Sequence, residues 1–262
     1  LITLLGPGGM GKTRLALQLA GGQLQEAHFA DGIYFVALDV LEDPAQIPVV
    51  IAQTLALNLQ SKDEPLAVVK SAMGNKQMLL VLDNFEQLMG GVLLVSELLE
   101  SCPTLTLLVT SRERLNLEEE FVSYLQGLPV PEQDSTDLAK IEYNDAVRLF
   151  VQRAKRARLE FQLSDENLAA VLDICKLVDG SPLGIELAAV WLRSLTPADL
   201  LQEIKKSMDG LETPSHNIVG RHQSLRAVFE HSWNLLKPKE KTALAKLTVF
   251  VGGFSREAAG QV

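Results

Sequence analysis

Short apolar runs punctuate the first half of the chain, from Leu1 to Leu5, Ile33 to Leu38, Met78 to Leu82 and Leu105 to Thr110, each followed by polar or amphipathic sequence. Such alternation with helical patterns predicts a parallel sheet flanked by helices. A fifth strand is expected over Val122 to Leu128. It runs into Pro129 and Pro131, which cannot donate to a central ladder, so a domain boundary is placed there. The expected fold class is α/β, with five parallel strands over residues 1–130.

From Ile141 onward the period changes. Ala146, Leu149, Phe150, Ala154 and Ala157, and then Leu168, Val171, Leu172 and Cys175, recur at helical spacing. This predicts an all-helical domain over 131–213. The polar stretch Thr213-Pro214-Ser215-His216-Asn217 reads as a linker, after which Leu225, Val228, Phe229 and Trp233 restart an amphipathic helix. A third unit is therefore expected over 214–262. No internal repeat is evident.

Composition narrows the function classes. With 262 residues, 47% apolar and 5% aromatic, the chain can bury a sizeable core. Its formal charge of -9 disfavours DNA binding by the chain as a whole. Two cysteines, Cys102 and Cys175, make neither a disulfide framework nor a metal site and fit a reducing compartment. There is no apolar run of the ~18 residues that would span a bilayer, and the opening residues are already strand-like. The expectation is a cytoplasmic segment of a longer chain, without a membrane partner.

The sharpest signal is Gly6-Pro7-Gly8-Gly9-Met10-Gly11-Lys12-Thr13, which fits G-x-x-x-x-G-K-[ST] between an expected strand and a helix from Arg14 to Ala20. Gly6, Gly8, Gly9 and Gly11 permit the backbone angles that turn successive N–H groups inward, and the helix N-terminus adds its positive end. Lys12 supplies a full charge for the β- and γ-phosphates. The Thr13 hydroxyl can ligate a Mg2+ ion held between them.

In Met78-Leu79-Leu80-Val81-Leu82-Asp83 an apolar run ends in one acid, at the sheet edge where open α/β sheets bind ligands. Asp83 there can hold Mg2+ through water; a surface acid opening a turn is the plainer reading. Asn84 follows where many hydrolytic relatives carry a second acid, and an amide cannot take a proton from water. Glu86 is read either as the catalytic base or as a solvated acid at a helix start. Arg112, after Thr110-Ser111, brings a guanidinium to the same edge as a γ-phosphate sensor. Arg114 is expected to pair with Glu118 or with solvent.

Guanine specificity is disfavoured, because Asn75-Lys76-Gln77-Met78 and Asp83-Asn84-Phe85-Glu86 both miss the expected last residue. Adenine is the better match. These motifs, with Asp179-Gly180-Ser181-Pro182-Leu183-Gly184-Ile185-Glu186-Leu187-Ala188-Ala189, resemble the STAND signal-transduction ATPases, and within them the NB-ARC-related branch of bacterial winged-helix, LuxR-type or SARP-type transcriptional regulators.

By local physics alone, Gly180 closes a helix with a left-handed cap and Pro182 opens the next. The resemblance implies more: Pro182 packs against adenine and ribose, so the helical domain forms a lid. Arg221-His222-Gln223-Ser224-Leu225, Trp233-Asn234-Leu235-Leu236 and Val249 to Phe254 resemble the start of a winged helix, with His222 read as structural. The family likeness implies an ATP/ADP switch with weak, regulated ATPase activity, Mg2+, partner domains in a longer regulator, nucleotide-dependent self-assembly, and DNA contact through a separate domain. Residues Gly6 to Arg14, Arg112 and Pro182 would bind nucleotide, with Lys12, Asp83, Glu86 and Arg112 in catalytic roles.

Arg148, Arg153, Lys155, Arg156 and Arg158 form a basic helix, with Arg153, Arg156 and Arg148 spaced to share a face. It reads as a solvated face, a nucleic-acid patch or a phosphate-transfer lid. The rival functions are accordingly a P-loop kinase or fast ATPase, and a nucleotide-independent DNA-binding module.

Overall fold

Four strands lie on the four apolar runs and a fifth overlaps the segment expected after them. The computed structural model describes residues 1–26, 28–60, 62–131, 141–209, 237–250 and 256–260. Strands β1 (Ile2–Leu5), β2 (Ile33–Ala37), β3 (Leu79–Asp83), β4 (Thr106–Ser111) and β5 (Phe121–Tyr124) form one sheet in the order β2-β3-β4-β1-β5, every neighbouring pair parallel. Because β4 is inserted between β1 and β3, the carboxyl ends of all three open onto one place on the sheet edge.

Burial on both faces accounts for the largely apolar runs. Val36, Leu80, Leu82, Leu107 and Val109 pack with Ile47 and Ile51 of α2 (Ile47–Thr54), Val69 and Met73 of α3 (Pro65–Met73), and Val95 and Leu98 of α4 (Val92–Ser101). On the other face Leu4, Leu79, Val81 and Leu108 pack with Ala16 and Ala20 of α1 (Lys12–Glu26). Each such large side chain contributes about 1.5–3 kcal/mol on burial, so neither face of β3 or β4 tolerates a polar residue without loss. The acid at the end of β3 is therefore a costly exception.

The chain divides into two compact units, Leu1–Leu125 with Phe250–Arg256, and Gln126–Val249 with Glu257–Val262. β5 stops at Tyr124 instead of continuing to Leu128. The reason lies in its hydrogen bonds: Leu125 still donates its N–H to the Leu5 carbonyl at 2.7 Å, whereas Leu128 donates to the Gly180 carbonyl at 2.8 Å.

The second unit contains α5 (Asp145–Ala157), α6 (Asp165–Leu177), α7 (Pro182–Val190) and α8 (Pro197–Asp209). Their shared core includes Phe150, Phe161, Ile174, Cys175, Ile185, Ala188, Leu192, Leu200 and Ile204. Asn144 caps α5 by accepting from the N–H groups of Ala146 and Val147.

The corner between α6 and α7 is a Schellman motif, with Gly180 N–H donating to Cys175 O and Asp179 N–H to Lys176 O, both at 2.9 Å. The left-handed cap expected at Gly180 proves to be two consecutive residues, Asp179 at φ 52 and Gly180 at φ 62. A short polar side chain tolerates the first position. Only glycine fits the second, where a Cβ would lie 2.0 Å from the Leu128 carbonyl oxygen; one on Gly127 would lie 1.8 Å from that of Asp179. Pro182 then opens α7, with Ser181 as its N-cap.

Two further helices, α9 (Pro238–Leu247) and α10 (Arg256–Gly260), are described. The linker at Thr213 to Asn217, the helix carrying Leu225, Val228, Phe229 and Trp233, His222, and positions 251–254 of the Val249 to Phe254 run lie outside the described residues.

Candidate functional site

The loop after β1 uses its glycines for two different purposes. Gly9 and Gly11 adopt φ of 80 and 83, in the left-handed region that favours glycine. Gly6 and Gly8 do not. Gly6 is needed for space, because a Cβ there would stand 2.9 Å from the Leu125 carbonyl oxygen, whereas one on Gly8 would make ordinary contact, 3.5 Å from the Arg112 guanidinium carbon.

α1 begins at Lys12, inside the motif, so its unpaired N–H groups point into the loop. Lys12 is only 7% exposed and curls back over the loop, donating to the carbonyls of Gly6 at 2.8 Å and Pro7 at 3.1 Å. Burial lowers its pKa below the ordinary lysine value; Glu86 opposes that shift, Arg112 adds to it and Asp83 opposes it. A desolvated ammonium held mainly by carbonyl dipoles favours an incoming anion. Met10 is buried beneath the loop, whereas Arg14 is exposed on α1.

Asp83 is 4% exposed and accepts hydrogen bonds from the side chains of Thr13, Thr110 and Asn84. Thr13 Oγ1 donates to it at 2.8 and 3.0 Å, Thr110 Oγ1 at 2.6 Å and Asn84 Nδ2 at 3.3 Å. Thr110 in turn accepts from the Asn84 N–H at 2.9 Å, which steadies Asn84 in its left-handed conformation at φ 63. Thr110 was assigned no role from sequence; its signal was a hydroxyl ending a buried apolar strand. Thr13 and Asp83 give a pair of hard oxygen donors beside a phosphate loop, a donor set that suits Mg2+. Among the described residues no group of three or more His, Cys, Asp or Glu could hold a metal, so a cation here would complete its shell from phosphate and water.

Glu86 stands in the 3-10 turn Phe85–Gly91, anchored by buried Phe85 and Leu88. Its Oε1 accepts from Arg112 Nε at 2.9 Å, its side chain is 12% exposed, and its Oε2 is buried with no hydrogen-bond partner. A solvated acid does not describe this geometry. Arg112 thus pairs with Glu86 and lies beside the loop at Gly8.

Arg114 does not pair with Glu118: it hydrogen-bonds the Tyr124 hydroxyl and stacks over that ring, 5.2 Å from its centroid. The flat guanidinium gains more from an aromatic face fixed on β5 than from an acid on an exposed loop. Pro182 belongs to the second unit, the other candidate residues to the first. Cys102 and Cys175 are both buried, and burial pushes the Cys175 thiol up to about 12.

The fold recurs in known structures. The chain superposes on a STAND ATPase with a tetratricopeptide-repeat sensor from Pyrococcus horikoshii with a TM-score of 0.50 and 15% identity, over 98% of this chain and 33% of that one. It matches Cdc6p from Pyrobaculum aerophilum equally, with a TM-score of 0.50 and 15% identity, over 94% of this chain and 78% of that one.

The chain has the P-loop ATPase fold.

Sequence relatives share more identity with it. A Mycobacterium tuberculosis protein provisionally named an HTH-type transcriptional regulator is 36% identical over 259 residues, 98% of this chain and 28% of its own length. An uncharacterized protein of the same organism is 35% identical over 264 residues, covering all of this chain and 63% of its own length. The chain thus spans about a quarter of the first relative and under two thirds of the second. No family model matches it. Among the described residues no helix is long and apolar enough to cross a membrane.

Proposed function

We propose that this P-loop unit is the ATP/ADP-binding switch of a longer cytoplasmic signalling or transcriptional regulator, of the STAND class and related to NB-ARC proteins, with slow or regulated ATP hydrolysis. The observation that carries the reading is the Glu86–Arg112 ion pair beside the phosphate loop. A γ-phosphate offers Arg112 a stronger acceptor than a carboxylate does, and ADP lacks it. The pair therefore has a reason to rearrange in one nucleotide state and not in the other, which is the differential affinity a switch requires.

The same pair supports restrained hydrolysis. While Arg112 holds Oε1, Glu86 is a poor proton acceptor; released, it has a buried, partnerless oxygen with which to take a proton from water. Asn84 cannot replace it, and its Nδ2 is already given to Asp83. Lys12 and the loop N–H groups would hold the phosphates, and Thr13 and Asp83 the Mg2+. Bound Mg2+ would supply charge neutralisation between the β- and γ-phosphates. Arg14 would flank the phosphates from α1, and Pro182 would cover the adenine from a helical lid over 131–213, followed by a winged helix over 214–262. Self-assembly in the ATP state, and DNA contact through other parts of the longer protein, belong to the same proposal.

Limited proteolysis in MgADP and in Mg2+ with a non-hydrolysable ATP analogue tests it. The expected result is two distinct cleavage patterns that become one in Arg112→Ala, with wild-type turnover well below the ~10 s⁻¹ of a typical enzyme. Identical patterns in both nucleotides would contradict the switch.

A further inference from the structure

The basic residues of α5 belong to the second unit, and they do not all spread into solvent. Arg153, Arg156 and Ala157 of α5 face Glu186 and Val190 of α7, together with Arg193, across an open cavity of about 440 Å³. The spacings explain the convergence. Positions 153, 156 and 157 share one side of α5, while 186, 190 and 193 follow one another by turns of α7 and its 3-10 extension Trp191–Arg193.

Three guanidiniums meet a single carboxylate here, in a chain whose formal charge is -9. Glu186 Oε1 accepts from Arg153 Nε at 3.0 Å and Nη2 at 2.5 Å, which fixes the fork of Arg153 at the cavity wall. Among the described residues, Arg156 and Arg193 form no ion pair. Arg148, expected on the same face, instead lies 3.7 Å from Asp145. Two arginines on separate elements thus point an uncompensated positive field into one concave space.

We propose that this cavity is a second anion site, which binds a small oligophosphate-bearing molecule independently of the P-loop. Guanidiniums from two elements can each grip two oxygens of one anion, and a chain of phosphates supplies those oxygens at several points. The volume falls within the range of small-molecule sites and exceeds what a single inorganic phosphate fills. A concave pocket walled by Ala157 and Val190 suits a compact ligand better than the rod-like backbone of duplex DNA.

The test is calorimetric titration of sodium tripolyphosphate into the full chain carrying Lys12→Ala, so that the P-loop is disabled. Binding at one site is expected, weakened about tenfold or more when Arg156→Ala and Arg193→Ala are added. Both arginines are surface residues, and an unchanged unfolding temperature checks that the fold is kept. Lys155→Ala with Arg158→Ala, two exposed cations outside the cavity, should leave the affinity as it was. No binding by the Lys12→Ala protein, or equal weakening by the Lys155 and Arg158 pair, would overturn the proposal. Displacement of tripolyphosphate by short duplex DNA at matched salt would also overturn it, assigning the surface to nucleic acid.

Discussion

Arg112 and Glu86 form a 2.9 Å ion pair in which the partners sit in unlike surroundings, the arginine side chain 63% exposed and the acid 12%. The pair leaves Glu86 Oε2 buried without a partner, a group that costs ~1–3 kcal/mol while unmet. Such a cost persists only where the surrounding fold enforces it, here through Phe85 and Leu88 on one side of the turn and left-handed Asn84 at its start.

Glu86→Gln separates the roles of that pair. ATP hydrolysis should fall by ~10²–10⁴-fold, the usual loss for a general base, with ADP affinity little altered. Arg112→Ala should instead narrow the preference for ATP over ADP, by about tenfold, through lost γ-phosphate contact. Unchanged hydrolysis by Glu86→Gln would remove Glu86 from catalysis.

Lys12 links the site to alkaline pH. Its pKa in the folded chain lies below the ordinary value of 10.5, chiefly through burial. Between those two values the unfolded chain holds more protons, so stability rises with pH across that window. Urea unfolding of nucleotide-free protein should therefore show wild type gaining on Lys12→Met as pH climbs toward 10.5. A difference that stays flat, or that shrinks with pH, would mean that the ammonium is not desolvated.

The close approach of Gly127 and Leu128 to Asp179 and Gly180 makes both glycines irreplaceable. Gly127→Ala or Gly180→Ala should each cost upward of ~2 kcal/mol, since the clash is with backbone and not with a movable side chain. Thermal unfolding reports it directly. A loss under ~0.5 kcal/mol, the scale of ordinary surface changes, would contradict the packing.

Thr3 offers the opposite sign. It lies fully buried in β1 with an Oγ1 that has no hydrogen-bond partner. Thr3→Val keeps the branched shape, removes the unmet hydroxyl and suits a strand better, so it should stabilise the first unit by ~1 kcal/mol. Destabilisation would show that the hydroxyl has a partner after all, such as ordered water.

What could be read from sequence follows a physical division. β1 to β4 were legible because strands covered on both faces are largely apolar, and the phosphate loop because its eight positions are constrained one by one. Asp83 was legible as an acid at the end of such a run. The end of β5 was not, because the partner of the Leu128 N–H, the Gly180 carbonyl, lies more than fifty residues away. The same holds for Arg114, whose partner Tyr124 is set by where β5 pairs, and for Glu86, whose burial depends on how the turn after Asn84 is aimed. Thr110 was passed over because one hydroxyl in a strand carries no meaning until Asp83 stands beside it, 2.6 Å away.

The central claim is that an adenine nucleotide sits on the loop at Lys12. Thermal unfolding of nucleotide-free protein with Mg2+ and saturating ATP, ADP or GTP, repeated in Lys12→Ala, tests it most directly. A ligand at 100 times its Kd adds ~2.7 kcal/mol, a shift of several degrees. The account predicts that shift with ATP and ADP, much less with GTP, and none in Lys12→Ala. No shift with any nucleotide, or one that survives Lys12→Ala, would contradict it.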